Sequence, residues 1–437
     1  MSNIYKTIKQ RALELEPWMR KQRQDFHTYA ESGWFEVRTT SIIADRLTKL
    51  GYQVLTGPDV CLDESRMGLP SEEALEKHYA LALEQGAIQP YAERAKNGFT
   101  GAIGILDCGE GPVIGMRFDI DALGVYEEKD KSHRPSAEGF CSVNDGMMHA
   151  CGHDGHALMG LAVAEILMGL KDQLKGKIKL IFQPAEEGLR GAKPIVDHGH
   201  LDDVDFVIGS HLGPRGKNAY DIELFTGSSL ASTKLDALFT GKAAHAGVIP
   251  EQGDNAMLSA ATAVLNLNAI PRTSQGVTRI NVGTLQAGSG RNVIPDRAKM
   301  EIEVRGATTE ANGFMEAYAR RILQASADMH GCKCEIKMAG TATSLRSDMS
   351  MIDRCVRVCS EKLGLRVAPP TSDDGGSEDY SYMVDQVRKH GGQGLFFVTL
   401  TDMPGPGHSK TFDIQEKDLP NGVMAFCALA CDCMGIE

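Results

Sequence analysis

The chain has no apolar stretch long enough to span a bilayer. Its longest, residues 161–170, is about half of the ~20 residues that a crossing helix needs. An excess of positive charge is also missing. Forty-six Lys and Arg stand against 58 Asp and Glu, a formal net charge of −12, which argues against nucleic acid and anionic membrane as partners. A small anionic substrate fits only if a local cationic pocket offsets that charge. The 11 cysteines lack the spacing of a disulfide framework, as expected of a protein kept in a reducing cytoplasm. Residues 1–16, MSNIYKTIKQRALELE, read as a charged helix with no apolar signal core. There is no internal repeat and no biased tract. With 42% hydrophobic and 24% charged residues, the 437-residue chain predicts a globular protein of two or three domains.

What is present in concentration is one segment, Met147-Met148-His149-Ala150-Cys151-Gly152-His153-Asp154-Gly155-His156. Three histidines, a cysteine and an aspartate fall within eight positions of it. Imidazole and thiolate are preferred ligands of a borderline-soft divalent ion, and the glycines let the backbone turn tightly enough for neighbours to share one. One histidine alone would suit a polar loop; five such groups point to metal.

Before it, residues 4–50 predict helices, the last over residues 41–50 with Ile42, Ile43, Leu47 and Leu50 on one side. His27, between them, suits either a site or a packing role. A short strand at residues 52–55 leads into an insertion, residues 58–98, with a charged helix over residues 71–85 that Ser71 caps. Four apolar strands then share one logic. Residues 112–118 end in Asp119-Ile120-Asp121, and residues 178–182 in Gln183-Pro184-Ala185-Glu186-Glu187-Gly188. Residues 206–209 end in Ser210-His211, and residues 394–400 in a Pro/Gly loop carrying His408. With an apolar helix predicted over residues 157–170, this alternation predicts an α/β fold with a mostly parallel sheet. Ligands bind beyond the carboxyl ends of such strands, and here each end carries a metal-binding or acid–base group. Residues 229–338 break the rhythm with the order β-α-β-β-α-β of a small ferredoxin-like α+β domain. It reads as an insertion into a first domain made of residues 1–228 and 339–437.

Cys151, His153, Glu187, His211 and His408 offer more N, O and S donors than one tetrahedral zinc takes, so a two-metal centre is expected, with Cys151 suited to bridging. Zinc suits these ligands by softness; manganese or cobalt also fits a mixed set. Adjacent glutamates cannot easily serve one ion, so Glu187 is assigned to metal and Glu186 to the attacking water as general base. Asp119 and Asp121 suit either orientation of a ligand imidazole or a purely structural hydrogen bond. His149, His156, Asp154 and Glu378 read as supporting or helix-end groups. In the inserted domain His245, Asn292 and Arg305 lie in or beside polar loops. An oxyanion would want a donor such as His245, and a substrate carboxylate an Arg fork with amide donors, but surface loops would read the same way.

These motifs, residues 149–156, Gln-Pro-Ala-Glu-Glu-Gly (183–188), Ala-His-Ala-Gly (244–247) and Gly-Ser-Glu-Asp (376–379), resemble the metallopeptidase family of aminoacylases, hippurate hydrolases and auxin-conjugate amidohydrolases. The resemblance covers nearly the whole chain. It implies a zinc-peptidase catalytic domain and an inserted domain that serves as lid and dimerisation surface. It implies Cys151, His153, Glu187, His211 and His408 as ligands of two divalent ions, with Glu186 as base. His245 would reach a partner's active site, and Asn292 and Arg305 would hold the substrate carboxylate. Residues 65–70, 97–101, 132–135 and 146–148 are similar to one branch of that family, whose enzyme cleaves an aroyl-glutamate amide and is built from two paralogous subunits. A homodimer, or a heteromer with a paralogue, is therefore implied. The alternatives are a general N-acyl-amino-acid hydrolase or dipeptidase, and a non-catalytic metal-binding subunit.

Overall fold

Two burial patterns divide the strands into two sheets. The structure, a computed structural model, describes residues 3–217, 219–372 and 376–436. Among them β1 (Gln53–Thr56), β2 (Ala102–Asp107), β3 (Val113–Asp119), β4 (Lys177–Gln183), β5 (Phe206–Pro214) and β6 (Ile222–Leu224) come first. Then β7 (Ala231–Thr240), β8 (Thr278–Ala287), β9 (Arg297–Gly306) and β10 (Lys333–Ala342) form a sheet of their own, and β11 (Gln393–Thr401) returns to the first.

β3, β4, β5 and β11 are buried almost end to end, as strands covered on both faces must be. They form the parallel centre, β4-β3-β5-β11, of a seven-stranded sheet ordered β1-β2-β4-β3-β5-β11-β6, with antiparallel strands at both margins. One face packs on the apolar helices His153–Gly169 and Leu419–Cys433 through Met116, Phe118, Phe182 and Phe397. The other packs Ile181 and Val207 against Ile195, Met383 and Val384. A Cβ on Gly160 would meet Phe118 and Phe182 at 2.7 Å, so that helix lies on the sheet only because its contact residue has no side chain.

β7, β9 and β10 alternate buried with open residues, the pattern of a sheet covered on one face. Their order is β10-β7-β9-β8, antiparallel throughout. Helices Ala256–Asn268 and Thr309–Met329 cover the buried side, capped by Asn255, which accepts from Met257 N, and Thr308, which accepts from Ala311 N. The expected α/β fold with a ferredoxin-like insertion is what the chain adopts.

Two expectations shift. The helix expected over residues 157–170 starts at His153, four residues earlier, because Gly152 turns the chain at φ +91° and leaves His153 free to begin it. β5 continues to Pro214, so His211 stands within a strand and not past its end. Ser71 caps the helix Glu72–Glu84 as predicted. No helix of the described residues is long and apolar enough to cross a membrane.

Candidate active site

The parallel register brings the site together. Asp119 at the end of β3 lies opposite Gln183 of β4; on the other side Arg117 pairs with Gly209, which puts Asp119 level with His211. His211 in turn faces Val398 of β11, whose following loop carries His408. Turns after these strands aim the rest. Among the described residues five non-glycine residues have φ > 0, and three of them, Ala185 (+49°), Leu189 (+64°) and His408 (+61°), flank or form the site. Each costs about 1–2 kcal/mol, strain that ordered surroundings must hold. Buried Glu36 helps, accepting from Ala185 N at 2.8 Å.

Cys151, His153 and His211 place ligand atoms within 4.8 Å of one another, and so do Cys151, Glu187 and His408. The two triads share the thiol. Cys151 Sγ lies 3.3 Å from His211 Nε2, and Glu187 Oε1 lies 3.4 Å from His408 Nε2. Two ligands on one tetrahedral zinc stand roughly 3.3–3.6 Å apart, so both spacings fit shared ions. The imidazoles are oriented from behind. His211 Nδ1 donates to Leu212 O at 2.6 Å, and His153 Nδ1 faces Asp121 Oδ1 at 3.2 Å, which leaves each Nε2 toward the cluster. His153 Nε2 and Glu187 Oε1 are buried and find no hydrogen-bond partner among the described residues. Orphaned buried donors of this chemistry fit a metal centre.

Burial alone would raise the Cys151 thiol, but His211 and His153 hold it well below its ordinary value. Burial and the same sulfur push Glu187 up to about 8. Burial opposes a charge on His211, which Cys151 nevertheless lifts to about 9. Burial, then Glu378, Glu187 and Asp379, keep Glu186 well above the usual carboxylate range. These are carboxylates and a thiolate crowded together with too little positive charge.

The supporting groups sort themselves. Asp121 also accepts from Glu187 N at 2.9 Å, fixing the turn that separates the two glutamates. Asp119 receives the Nδ1 of His156, whose Nε2 accepts from Leu212 N at 2.8 Å. Both nitrogens of His156 are thus used, and burial brings it down to about 4. Glu378 binds Arg117 at 2.8 Å, while Asp379 accepts from Gly191 N and Ala192 N at the start of the helix Ala192–Asp197. His27 and Asp154 are hydrogen-bonded to each other in a separate buried network.

A cavity of about 730 Å³ opens over the cluster, lined by Cys151, Glu186, Glu187, His211 and His408. Phe225, Phe396, Met403 and Phe412 supply apolar wall, and Arg305 and Lys234 reach in from the small sheet. It is the size of a small-molecule site, with apolar walls and few convergent polar groups. His245 and Asn292 are exposed and do not line it. They sit together instead, His245 bridging Val293 and Ala246 N donating to Asn292 O at 3.1 Å. The structure therefore groups Asn292 with His245 and separates it from Arg305. Sequence reasoning passed over Arg117, Glu36 and Lys234. A lone arginine in the apolar strand at residues 112–118 was the readable sign of the first. Alternation along β7 was that of the third, since Lys234 falls on the face opposite the helices.

The fold and this cluster are those of a metal-dependent hydrolase of amide bonds. Residues 115–432 match Peptidase family M20/M25/M40. The chain belongs to that family. It is 42% identical, over 96% of its length and 95% of the relative's, to one of the chains of p-aminobenzoyl-glutamate hydrolase from Escherichia coli K12. It is 43% identical, over 92% and 93%, to an indole-3-acetyl-aspartic acid hydrolase of Enterobacter agglomerans. The crystal structure of the aminobenzoyl-glutamate utilization protein of Klebsiella pneumoniae matches at a TM-score of 0.83 and 36% identity, covering 96% of this chain and 97% of that one.

Proposed function

We propose that this chain hydrolyses p-aminobenzoyl-glutamate to p-aminobenzoate and glutamate. The observation that carries the reading is a cavity with apolar walls, a cationic face and a cluster of candidate metal ligands, in a chain similar to enzymes named for aroyl-glutamate and arylacetyl-aspartate amides. Cys151, His153, Glu187, His211 and His408 would hold two divalent ions, Cys151 belonging to both groups of donors; zinc would fit by softness, manganese and cobalt by the mixed donors. Such ions supply Lewis acidity at the amide carbonyl and acidify water. Glu186, at the cavity wall, takes the proton of the attacking water and returns it to the leaving nitrogen. Asp121 keeps His153 in register, and Asp119 does so through His156 and Arg117. Arg305 takes a substrate carboxylate.

His245 reaches into the active site of a neighbouring protomer and stabilises the oxyanion there, and Asn292 beside it reaches the substrate carboxylate that Arg305 of that protomer holds. Supporting this, β8 is an edge strand, and Leu258, Leu265 and Leu285 near it are exposed. That protomer is another copy or a paralogue. Residues 229–338 act as the lid and dimerisation domain, and residues 1–228 with 339–437 as the catalytic one. All eleven thiols are free, which suits a cytoplasmic enzyme.

The similarity to an indole-3-acetyl-aspartate hydrolase favours a second reading with that arylacyl and amino acid. A panel decides: kcat/KM of the metal-loaded chain for p-aminobenzoyl-glutamate, indole-3-acetyl-aspartate and N-acetyl-glutamate. The proposal expects the first to be highest. A higher value for the second installs the alternative, and no hydrolysis of any, alone or with a paralogue, makes the chain a non-catalytic subunit.

A further inference from the structure

The small sheet contributes a cation to the cavity that none of these roles uses. Lys234 lies in the middle of β7 between the buried Thr233 and Leu235, so it turns away from the covering helices. It lines the same cavity as Glu186, Glu187 and Arg305. Among the described residues no hydrogen bond, and no ion pair within 4.0 Å, ties its ammonium down. Across the ladder it faces Glu303, and Arg305, two residues further along β9, is its diagonal neighbour on that face. Such neighbours stand roughly 7 Å apart, so the two cations project side by side. Glu303 is already engaged: its Oε1 binds Arg305 Nη2 at 3.0 Å and accepts from Ser232 Oγ at 3.2 Å. That holds the guanidinium and leaves the lysine head to the cavity.

Glu303, Glu186 and Glu187 are its nearest carboxylates, but among the described residues none stands within 4.0 Å of its ammonium, so a substrate anion entering the cavity would be its first direct partner. An acidic amino acid brings two carboxylates joined by a short carbon chain, which matches two neighbouring cations. We propose that Lys234 selects the leaving amino acid: Arg305 binds its α-carboxylate and Lys234 its side-chain carboxylate. The assignment rests on the reading of the chain as an acyl-amino-acid hydrolase. A neutral amino acid leaves Lys234 unpaired and is rejected; the rigid strand fixes the distance between the two cations, so the preference is built into the sheet.

The test compares p-aminobenzoyl-glutamate with p-aminobenzoyl-glutamine, and N-acetyl-glutamate with N-acetyl-glutamine, in wild type, Lys234→Met and Lys234→Arg. In Lys234→Met, kcat/KM should fall about ten- to hundredfold more for the glutamate member than for the glutamine member, mainly through KM. Lys234→Arg should keep most of the preference. Equal losses on both members, or an unchanged glutamate-to-glutamine ratio, would overturn the assignment. If only the acetyl pair turns over, the aroyl reading fails while the ratio still judges Lys234. Calorimetric binding of free glutamate against glutamine to wild type and Lys234→Met gives the same comparison without turnover, and equal loss of both there also overturns it.

Discussion

Residues 147–156 feed two polar clusters that treat charge in opposite ways. Asp154 enters a network in which each charge meets an opposite one. Arg23 binds Asp154 and Asp413 at 2.8 Å each, Arg134 adds a second fork to Asp413 and Glu416, and His27 lies between Asp154 and Glu127. One residue earlier, His153 enters a cluster of Cys151, Glu186 and Glu187 in which like charges crowd, and in which His153 Nε2 and Glu187 Oε1 find no hydrogen-bond partner among the described residues. Successive residues of a helix point about 100° apart, so the first turn of His153–Gly169 delivers neighbours to different places. Residue type therefore does not separate a structural group from a reactive one. Compensation does: a network that satisfies itself holds the fold, and one that does not is built for something added.

The comparison breaks most visibly at Glu186. Glu186→Gln should lower kcat by about 10²–10⁴-fold while metal content, measured by mass spectrometry, stays at the wild-type value. Near-wild-type turnover would remove Glu186 from the role of base. In the compensated network the loss falls on stability instead. Arg23→Met takes the shared guanidinium from three buried carboxylates, leaving Asp154 to His27 and Asp413 and Glu416 to Arg134, and should cost about 3–5 kcal/mol, read as a Tm lower by several degrees, with far less effect on kcat than Glu186→Gln. An unchanged Tm would show that the network holds little.

The smallest effect is on acid stability. Burial would raise Glu127, but the hydrogen bond and charge of His27, with Ser142 N and His133, bring it to about 2 from the usual 4.5. Its folded value lies below its unfolded one, so its contribution is complete above about pH 4.5 and fades as pH falls toward about 2. Glu127→Gln should therefore lose Tm less steeply than wild type between about pH 5 and pH 3. Equal slopes would contradict this.

How much was legible follows the same division. Apolar strands leading to Asp119, Glu187 and His211 could be read because parallel strands are buried on both faces and polar residues interrupt that pattern toward their carboxyl ends, even though β5 carries on through His211 to Pro214. The convergence of Cys151, His153, Glu187, His211 and His408 followed from that topology. The compensated network stayed hidden because its partners come from residues 23–27, 127–134 and 413–416, with no local pattern to link them. His27 and Asp154 were consequently undecided in sequence. The start of the helix at His153 was missed because a glycine N-cap gives no side-chain signal. Lys234 was missed because its meaning depends on the cross-strand diagonal to Arg305, which only register supplies.

The central claim is that the uncompensated cluster takes two ions and shares them through Cys151. Anomalous diffraction from crystals of the metal-loaded protein tests it most directly. Two peaks about 3.5–4 Å apart, both bonded to Cys151 Sγ, are predicted. A single peak there, or an ion taken instead by Glu127, His133 and Cys141, whose ligand atoms also lie within 4.8 Å of one another, would contradict it.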